Sequence, residues 1–386
     1  MSWAAGLGLA ALAIWLYLMA GRGGFWLARE RDDRNSPGPP ERWPDVTAIV
    51  PARNEADVIT RSIAGLLEQD YPGSWRVVLV DDGSDDGTAA TALAAAHGDA
   101  GRRLEVLRGS ALPAGWTGKV WAQHQGVQHA SLAGDRPDYL LLTDADIGHA
   151  PDTLRSLVAR AESQNLVLCS LMAELSCRHL AERFLIPAFV FFFQMLYPFA
   201  WVADRNRNLA AAAGGCMLVR REALERAGGM ASIRSEIIDD CALARRLKAQ
   251  GAIWLGLTRR AISLRPYAGM REIGRMVSRS AYAQLDYSPL LLVGTVAGMA
   301  ITYLAPALLA LFGSGVGQMA GIAAWLLMAV AFQPMLRFYR ASPLWGLALP
   351  PIAATYTVFT LQSAVDVWRG RGGLWKGRAQ AMAGEL

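Results

Sequence analysis

Charge is missing from long parts of this sequence. Only 18% of its 386 residues are charged, while 53% are hydrophobic. Residues 3–20, 287–336 and 341–365 contain no charged side chain. Each segment could span about 30 Å of hydrocarbon, and the second could span it twice. Soluble helices of this length nearly always carry a polar stripe, so the segments predict membrane helices rather than a buried soluble core.

Cysteine is scarce as well. The four cysteines (Cys169, Cys177, Cys216 and Cys241) form no CxxC pair and no cluster with metal-ligand spacing. This pattern argues against a zinc site and fits a reducing compartment. The net charge is +5, with arginines beside the apolar segments. That placement favours contact with anionic lipid over nucleic-acid binding.

The charges around the first apolar segment predict its orientation. No Lys or Arg precedes it, whereas several arginines follow it, beginning with Arg22 and Arg29. A secretory signal has the opposite order, so we expect a retained anchor in the inner (plasma) membrane, with the following domain in the cytoplasm. The expected segments are an anchor at 1–21, a linker at 22–43, a cytoplasmic domain at 44–280, transmembrane helices at 287–365 and a basic tail at 366–386.

The basic tail conflicts with a simple count of crossings. Three crossings after a cytoplasmic domain would leave the tail outside, yet basic residues such as Arg369 and Lys376 prefer the inside. Two arrangements would remove the conflict. Either the segment around Pro350 and Pro351 is re-entrant, or residues 184–202 also enter the bilayer.

The middle of the chain alternates two kinds of short segment. β-like runs lie at 46–50, 76–80, 104–107 and 139–143, and helix-like runs lie at 56–68 and 88–97. Alternation at this spacing predicts an α/β fold, with a mostly parallel sheet and helices on both faces.

Polar side chains follow several of these strands. Asp144 and Asp146 close an apolar run and could bind Mg²⁺ or Mn²⁺ together with a diphosphate. Taken alone, such a pair is more often a solvated turn. Arg53 follows the first strand, where backbone N–H groups could also meet a diphosphate. Asp82 follows the second strand, and Lys119 lies between glycines at the start of a helix.

In this order, the motifs resemble glycosyltransferase family 2, the inverting GT-A class, over roughly residues 46–279. The chain looks closest to the subgroup associated with hopanoid biosynthesis, and it is more distantly similar to ceramide glucosyltransferases. The resemblance implies a GT-A type fold and a nucleotide-sugar donor, with a UDP-sugar favoured. The residues that it assigns to donor binding are Pro51, Arg53, Glu55, Asp82, Lys119 and Asp144.

The resemblance also implies the catalytic and metal residues. Asp144 and Asp146 become the ligands of Mg²⁺ or Mn²⁺, and Asp239-Asp240 matches the family's Glu-Asp motif, with Asp240 as the base. Direct displacement at a sugar carbon needs a carboxylate that accepts the proton of the acceptor hydroxyl. The same two aspartates would also suit a helix start, where acidic side chains are favoured.

One motif departs from the family pattern. Many relatives carry Gln-x-x-Arg-Trp near the membrane entrance, and here only Arg279 matches. Arg279 either contacts the donor diphosphate or lies at the lipid headgroups. The loss of the other two residues favours a single transfer over processive polymer synthesis.

The aromatic stretch at 184–202 is expected to lie on the bilayer and to bring a lipid acceptor to the site, with a buried core helix as the alternative. The predicted function is therefore transfer of a sugar to a lipid hydroxyl. A polyprenyl phosphate acceptor and a non-catalytic membrane scaffold are the alternatives.

Overall fold

The structure is a computed structural model that describes residues 2–96, 98–132 and 136–370, and the backbone of residues 374–375 and 378–379. Most of the predicted basic tail, residues 366–386, therefore lies outside the described residues. The chain divides into two units. The helical unit comprises Met1–Arg29, Cys177–Ala200 and Pro266–Gly372, and the sheet unit comprises Glu30–Ser176, Trp201–Arg265 and Gly373–Leu386.

The helices are numbered in chain order. They are α1 (Trp3–Gly21), α2 (Ile59–Leu67), α3 (Thr88–Ala95), α4 (Gly98–Gly101), α5 (Gly118–Leu132), α6 (Thr153–Ser163), α7 (Leu180–Leu196), α8 (Phe199–Ala203), α9 (Arg221–Arg226), α10 (Asp239–Lys248), α11 (Met270–Ser278), α12 (Pro289–Met299), α13 (Ala305–Phe312), α14 (Gly315–Phe338) and α15 (Leu349–Trp368). A π-helical turn, Ala300–Leu304, joins α12 to α13, and a 3-10 turn, Pro343–Ala348, precedes α15.

The strands are β1 (Val46–Ala52), β2 (Trp75–Asp81), β3 (Leu104–Arg108), β4 (Tyr139–Thr143), β5 (Ile147–His149), β6 (Leu166–Glu174), β7 (Cys216–Arg220), β8 (Ala252–Ser263), β9 (Leu374–Trp375) and β10 (Arg378–Ala379). The first eight form one sheet in the order β3-β2-β1-β4-β7-β6-β8-β5.

The direction of the strands decides which loops meet. β3, β2, β1 and β4 are mutually parallel, and Val46 of β1 lies opposite Trp75 of β2 and Tyr139 of β4. β7 runs antiparallel to β4, with Cys216 opposite Thr143. The carboxyl ends of β1, β2 and β4 and the amino end of β7 therefore share one edge of the sheet.

Helices cover both faces of the sheet. Every residue of β1 is buried, as expected for a strand that is covered on both sides. Alternate residues of β1, such as Val46 and Ala48, belong to one apolar cluster with Ile63 of α2. On the opposite face α5 packs closely, since a Cβ on its Gly126 would lie 2.6 Å from the Ile49 side chain. The predicted α/β fold is confirmed, although β5 and β7 make the sheet mixed.

Four segments of the helical unit are long and apolar enough to cross a membrane. They are Trp3–Gly21, Pro289–Phe312, Gly315–Phe338 and Pro343–Trp368. These four apolar helices indicate membrane association. α1 packs against α14 through glycines, since a Cβ on Gly317 would lie only 2.9 Å from the Ala4 carbonyl oxygen. Small residues at such contacts let membrane helices approach closely.

The aromatic stretch predicted at 184–202 falls mostly on α7, which belongs to the helical unit. Its Phe191 packs on Phe332 of α14, with ring centroids 5.1 Å apart, and Tyr356 of α15 donates a hydrogen bond of 2.9 Å to the Leu185 carbonyl. Apolar side chains thus join α7 to the other apolar helices. The predicted domain bounds, including the cytoplasmic domain at 44–280, stay predictions. The position of α7 at the membrane interface stays a prediction.

Candidate functional site

The candidate site lies at the edge of the sheet where the parallel strands end. β2 and β4 lie on opposite sides of β1, so the strand order reverses there. In open α/β sheets, ligands bind in the crevice outside such a reversal. Arg53 directly follows β1, Asp82 follows β2 and Asp144 follows β4. The sheet therefore gathers side chains from distant parts of the sequence at one crevice.

Lys119 is the centre of the charged cluster. Its Nζ lies 2.9 Å from Asp144 Oδ1 and 3.2 Å from Asp239 Oδ2, and its side chain is only 15% exposed. Burial lowers the pKa of Lys119, but the charges of Asp144, Asp239 and Asp240 outweigh it and raise that pKa above its ordinary value. Lys119 is therefore a fixed positive charge that lets several carboxylates occupy one crevice.

Asp240 is held differently from its neighbour Asp239. At the start of α10, its Oδ2 accepts a hydrogen bond of 2.9 Å from the Gly214 N–H, and its Oδ1 accepts one of 2.7 Å from the Cys241 N–H. Burial, assisted by the charge of Asp239, raises the pKa of Asp240 to about 6 against the opposing effects of Lys119 and the two N–H groups. A carboxylate with this pKa can exchange a proton near neutral pH.

The loop that carries Gly214 is fixed by a buried chain of hydrogen bonds. The Thr143 hydroxyl donates to the Gly215 carbonyl at 2.7 Å, and it lies 2.9 Å from His149 Nε2. Because the single hydroxyl proton is used toward Gly215, His149 Nε2 must carry a proton and donate to Thr143. Burial lowers the pKa of His149 to about 4, so the ring is neutral at pH 7.

A second ionic cluster surrounds Arg265, which follows β8. Its guanidinium forms an ion pair with the buried carboxylate of Glu55 and another, of 3.0 Å, with Asp57. Burial lowers the pKa of Arg265, but the charges of Glu55, Asp57 and Asp146 raise it overall. Arg265 therefore forms ion pairs with the loop after β1, and the charge of Asp146, in the acidic pair after β4, also acts on it.

The loops after β1 and β2 support each other. Arg53 donates from Nη1 to the carbonyl oxygens of Asp82 and Gly83, the latter at 3.0 Å. The Asn54 N–H donates to Ser84 Oγ at 3.0 Å, and the Asp85 N–H donates back to Asn54 Oδ1 at 3.1 Å. The guanidinium of Arg53 thus has a structural use, in addition to any contact with a ligand.

The predicted site residues divide into three groups. Lys119, Asp144, Asp239 and Asp240 form one cluster. Pro51, Arg53, Glu55, Asp82 and Asp146 are on or beside the strands that end at the same edge. Arg279 is exposed at the end of α11 in the helical unit, so its predicted contact with the diphosphate stays a prediction.

The acidic residues fit a divalent metal that shares its ligands with a substrate. No group of three or more His, Cys, Asp or Glu side chains suited to a metal occurs among the described residues. Mg²⁺ typically uses one or two carboxylates and takes its remaining oxygens from water and substrate phosphates. Asp144 and Asp146 match that number. The three carboxylates around Lys119 also leave this cluster with negative charge, which would repel a diphosphate unless a cation accompanied it.

The sequence analysis missed Arg265, Thr143 and His149. Arg265 lies 210 positions from Glu55 in the sequence, and no local motif marks it. Thr143 is the last residue of β4 and His149 the last residue of β5, and no motif in the sequence distinguishes them from other strand residues. Only the antiparallel pairing of β4 with β7 brings Thr143 to Gly215.

Comparisons with known proteins find similarity to enzymes that transfer sugars. Residues 47–228 match the family model for glycosyl transferase family 2. The succinoglycan biosynthesis protein ExoO of Rhizobium meliloti is 34% identical over 123 residues, which cover 32% of this chain and 31% of that protein. The undecaprenyl-phosphate 4-deoxy-4-formamido-L-arabinose transferase of Pseudomonas aeruginosa is 32% identical over 133 residues, 33% of this chain and 36% of that protein. The chain thus spans about a third of the length of these relatives.

A solved structure extends the likeness beyond the matched segment. The mannosyltransferase PcManGT from Pyrobaculum calidifontis, in complex with GDP-Man and Mn²⁺, has a TM-score of 0.59 and 21% identity. The alignment covers 95% of this chain and 99% of that one. At this identity the likeness shows the fold alone, and it confirms the predicted GT-A type of α/β architecture.

The Thr143 hydroxyl is predicted to stabilise the loop at Gly214 and Gly215. Replacing it in Thr143→Val leaves the Gly215 carbonyl and His149 Nε2 without their partner, and we expect the free energy of unfolding to fall by about 1–3 kcal/mol. Thermal unfolding in detergent would measure this. Thr143→Ser keeps the hydroxyl and should be destabilised less. Equal losses in the two variants would show that the hydrogen-bonded chain is unimportant.

Proposed function

We propose that this chain, whose residues 47–228 match the family model for glycosyl transferase family 2, transfers a sugar from a nucleotide-sugar donor to a membrane lipid hydroxyl with inversion at the sugar carbon. The observation that carries the proposal is Asp240. It is a carboxylate at the edge of the sheet, held by two backbone N–H groups, with its pKa raised to about 6.

Asp240 is suited to be the base of a single displacement. A base is most effective when its pKa lies near the working pH, because it is then largely ionised and still accepts a proton readily. The hydrogen bonds from Gly214 and Cys241 fix its orientation before substrate arrives. A single displacement needs no protein nucleophile, and it inverts the configuration at the reacting carbon.

Lys119 and Asp239 have supporting roles in this proposal. Lys119 ties Asp144 to Asp239 through its two ion pairs and thereby fixes the distance between the metal pair and the start of α10. Asp239 raises the pKa of its neighbour Asp240. We therefore place Lys119 in donor binding, through the position of Asp144 and through attraction of the diphosphate.

The metal in this proposal is Mg²⁺ or Mn²⁺, held by Asp144 and Asp146 and by the donor. When bound, the metal offsets the negative charge of the departing diphosphate. Arg53, Glu55, Asp82 and Pro51 would surround the nucleotide part of the donor, for which a UDP-sugar is favoured. Arg265 keeps Glu55 in place through its ion pair.

The membrane helices support a lipid acceptor, since four apolar segments place the enzyme at a bilayer. A hopanoid or another neutral lipid with a hydroxyl is the acceptor that we favour, in keeping with the subgroup that the motifs resemble. The arginines after α1 favour a site on the cytoplasmic side of the inner membrane, because basic residues prefer that side. A polyprenyl phosphate is the second candidate, because one relative is named for transfer to undecaprenyl phosphate.

A direct assay tests the proposed function. Membranes that contain the full chain would be incubated with radiolabelled UDP- and GDP-sugars, and the lipid extract would be separated by chromatography. A labelled lipid that survives mild acid indicates transfer to a hydroxyl, whereas an acid-labile product indicates a phosphate-linked acceptor. Absence of any labelled lipid across the donors would contradict the proposal.

Loss of the base should stop transfer without stopping donor binding. We expect Asp240→Asn to lower the rate by about 10²–10⁴-fold, since the amide cannot accept the proton. Donor affinity, measured by calorimetry, should change little. Burial disfavours the charged form of Asp240, so its removal should not lower the melting temperature at pH 8.

The control for this variant is Asp70→Asn, which removes a surface carboxylate that pairs with Arg155 at 2.8 Å. Its rate should equal that of the wild type. Full turnover in Asp240→Asn would remove Asp240 from the mechanism.

Removal of divalent metal should also stop transfer. We expect EDTA to abolish activity and added Mg²⁺ or Mn²⁺ to restore it, because the negative cluster around Asp144 repels a bare diphosphate. Asp146→Asn should raise the metal concentration needed for half-maximal activity. Activity that is indifferent to chelation would mean that Asp144 and Asp146 hold no metal.

The pH dependence should report the raised pKa of Asp240. Its carboxylate is the active form, so kcat/KM for the acceptor should fall about tenfold per pH unit below an apparent pKa near 6. An acceptor titration from pH 4.5 to 8 would measure this. A rate that stays constant down to pH 4.5, near the range where an ordinary aspartate titrates, would contradict the assignment.

A further inference from the structure

The path of the chain before α15 is unusual for a membrane-spanning segment. After α14 ends, the 3-10 turn at Pro343–Ala348 runs back along the same helix. Gln333 Nε2 donates to the Pro343 carbonyl at 3.1 Å, and Trp325 Nε1 donates to the Leu347 carbonyl at 3.0 Å. Trp325 lies about 20 Å from the end of α14 at 1.5 Å per residue. The turn therefore descends only part of the way along the helix.

α15 then runs back toward the end of the helical unit at which α14 ends. Late in α15, Ser363 Oγ accepts a 3.0 Å hydrogen bond from the Tyr282 N–H and donates to the Ser278 carbonyl. Ala364 packs in one buried cluster with Tyr282 and Leu292. Leu292 belongs to the first turn of α12, so α15 ends where α12 begins.

The start of α12 and the end of α14 lie at the same end of the helical unit. α13 and α14 are joined by the short turn at Gly313 and Ser314, and a Cβ on Gly321 would lie 2.8 Å from the Pro306 carbonyl oxygen, so the two helices run antiparallel. α1 runs parallel to α14. A Cβ on Gly8 would lie 2.9 Å from the Gly317 carbonyl oxygen and 3.2 Å from the Ala320 Cβ, whereas Ala4, one turn earlier on α1, contacts Gly317. The contacts thus advance in the same direction along both helices.

Charge separates the two ends of the unit. Residues 1–21 and 287–336 contain no charged side chain, so the end with the α13–α14 turn is uncharged. At the opposite end, Arg22 follows α1, Arg337 and Arg340 stand at the end of α14, and Arg369 follows α15. We name this the basic end. By the positive-inside rule it faces the cytoplasm.

We infer that residues 343–368 form a re-entrant hairpin, which enters and leaves the membrane at the basic end, and whose exposed Leu344 and Leu347 contact lipid acyl chains. Three segments then cross the bilayer, namely α1, α12 with α13, and α14. Arg369 lies on the same side as Arg22. The inference concerns the helical unit and does not depend on the reaction.

The local chemistry is suited to this path. Backbone that is not helical is tolerated at membrane depth only where protein groups satisfy it, and here Gln333 and Trp325 donate to the carbonyls of the turn. Pro350 and Pro351 stand in the first turn of α15, where the missing N–H groups would have no partner in the helix. Gly346 passes close to α14, since a Cβ there would lie 2.9 Å from the Ala329 carbonyl oxygen.

Cysteine labelling of the full chain in membranes tests the inference. The four native cysteines are replaced by alanine, and single cysteines are placed by Ser314→Cys, Ser342→Cys and Arg369→Cys. Spheroplasts and inverted vesicles are then treated with a membrane-impermeant maleimide. We expect Ser314→Cys to react only in spheroplasts, and the other two variants to react only in inverted vesicles. Reaction of Arg369→Cys in spheroplasts would show that residues 343–368 cross the bilayer and would overturn the inference.

Two further measurements keep the test decisive. If the cysteine-free chain is not made, green fluorescent protein fused after Leu386 of the native chain gives the same answer, because it is fluorescent only when the tail is cytoplasmic. A spin label at Leu347→Cys measures depth. Accessibility to oxygen above that to a polar nickel complex supports a position among acyl chains, whereas the reverse would place the turn in water and contradict the hairpin.

Discussion

The candidate site depends on the two ion pairs that the ammonium group of Lys119 forms. This group lies between Asp144, at the end of β4, and Asp239, at the start of α10, and it is largely buried. Removal of one partner from a buried ion pair leaves an uncompensated charge, which is strongly destabilising. Without Lys119, three aspartates could not remain ionised in one crevice. The ion pairs thus hold together residues that are far apart in the sequence and belong to different elements.

The order of the strands in the sheet brings the residues of this cluster together. β4 pairs with β1 on one side and with the antiparallel β7 on the other, so the end of β4 meets the loop before β7. The N–H of Gly214 in that loop binds Asp240, and the hydroxyl of Thr143 at the end of β4 binds the adjacent Gly215. One reversal of strand direction therefore brings Asp240, the proposed base, into one cluster with Asp144, a proposed metal ligand. The hydrogen bond from the Gly214 N–H ties Asp240 to this loop and opposes the rise in the Asp240 pKa that burial causes.

Much of the fold could be predicted from the sequence, because the local signals were strong. The run at 139–143 is apolar and bounded by charge, and β4 has those bounds. The strand ends were also informative, since Lys119, Asp144 and Asp240 do come together. What could not be predicted depends on distant pairing. Arg265 meets Glu55 only because β8 and β1 belong to one sheet, and no short-range pattern encodes that contact.

The two units obey one electrostatic rule in different ways. A charge removed from water needs a partner. In the sheet unit the carboxylates of Asp239, Glu55 and Asp240 have one, in Lys119, Arg265 and a backbone N–H respectively. The helical unit instead excludes charge from its apolar length and places arginines at one end. Polar contacts among its apolar helices, such as those of Trp15 with the Thr302 carbonyl and of Trp325 with the Leu347 carbonyl, satisfy backbone groups. A catalytic aspartate with a raised pKa therefore requires the first solution, because only a compensated cluster can keep a carboxylate buried and still reactive. The second solution supplies no base, which is consistent with a proposed reaction on the sheet and a proposed acceptor in the membrane.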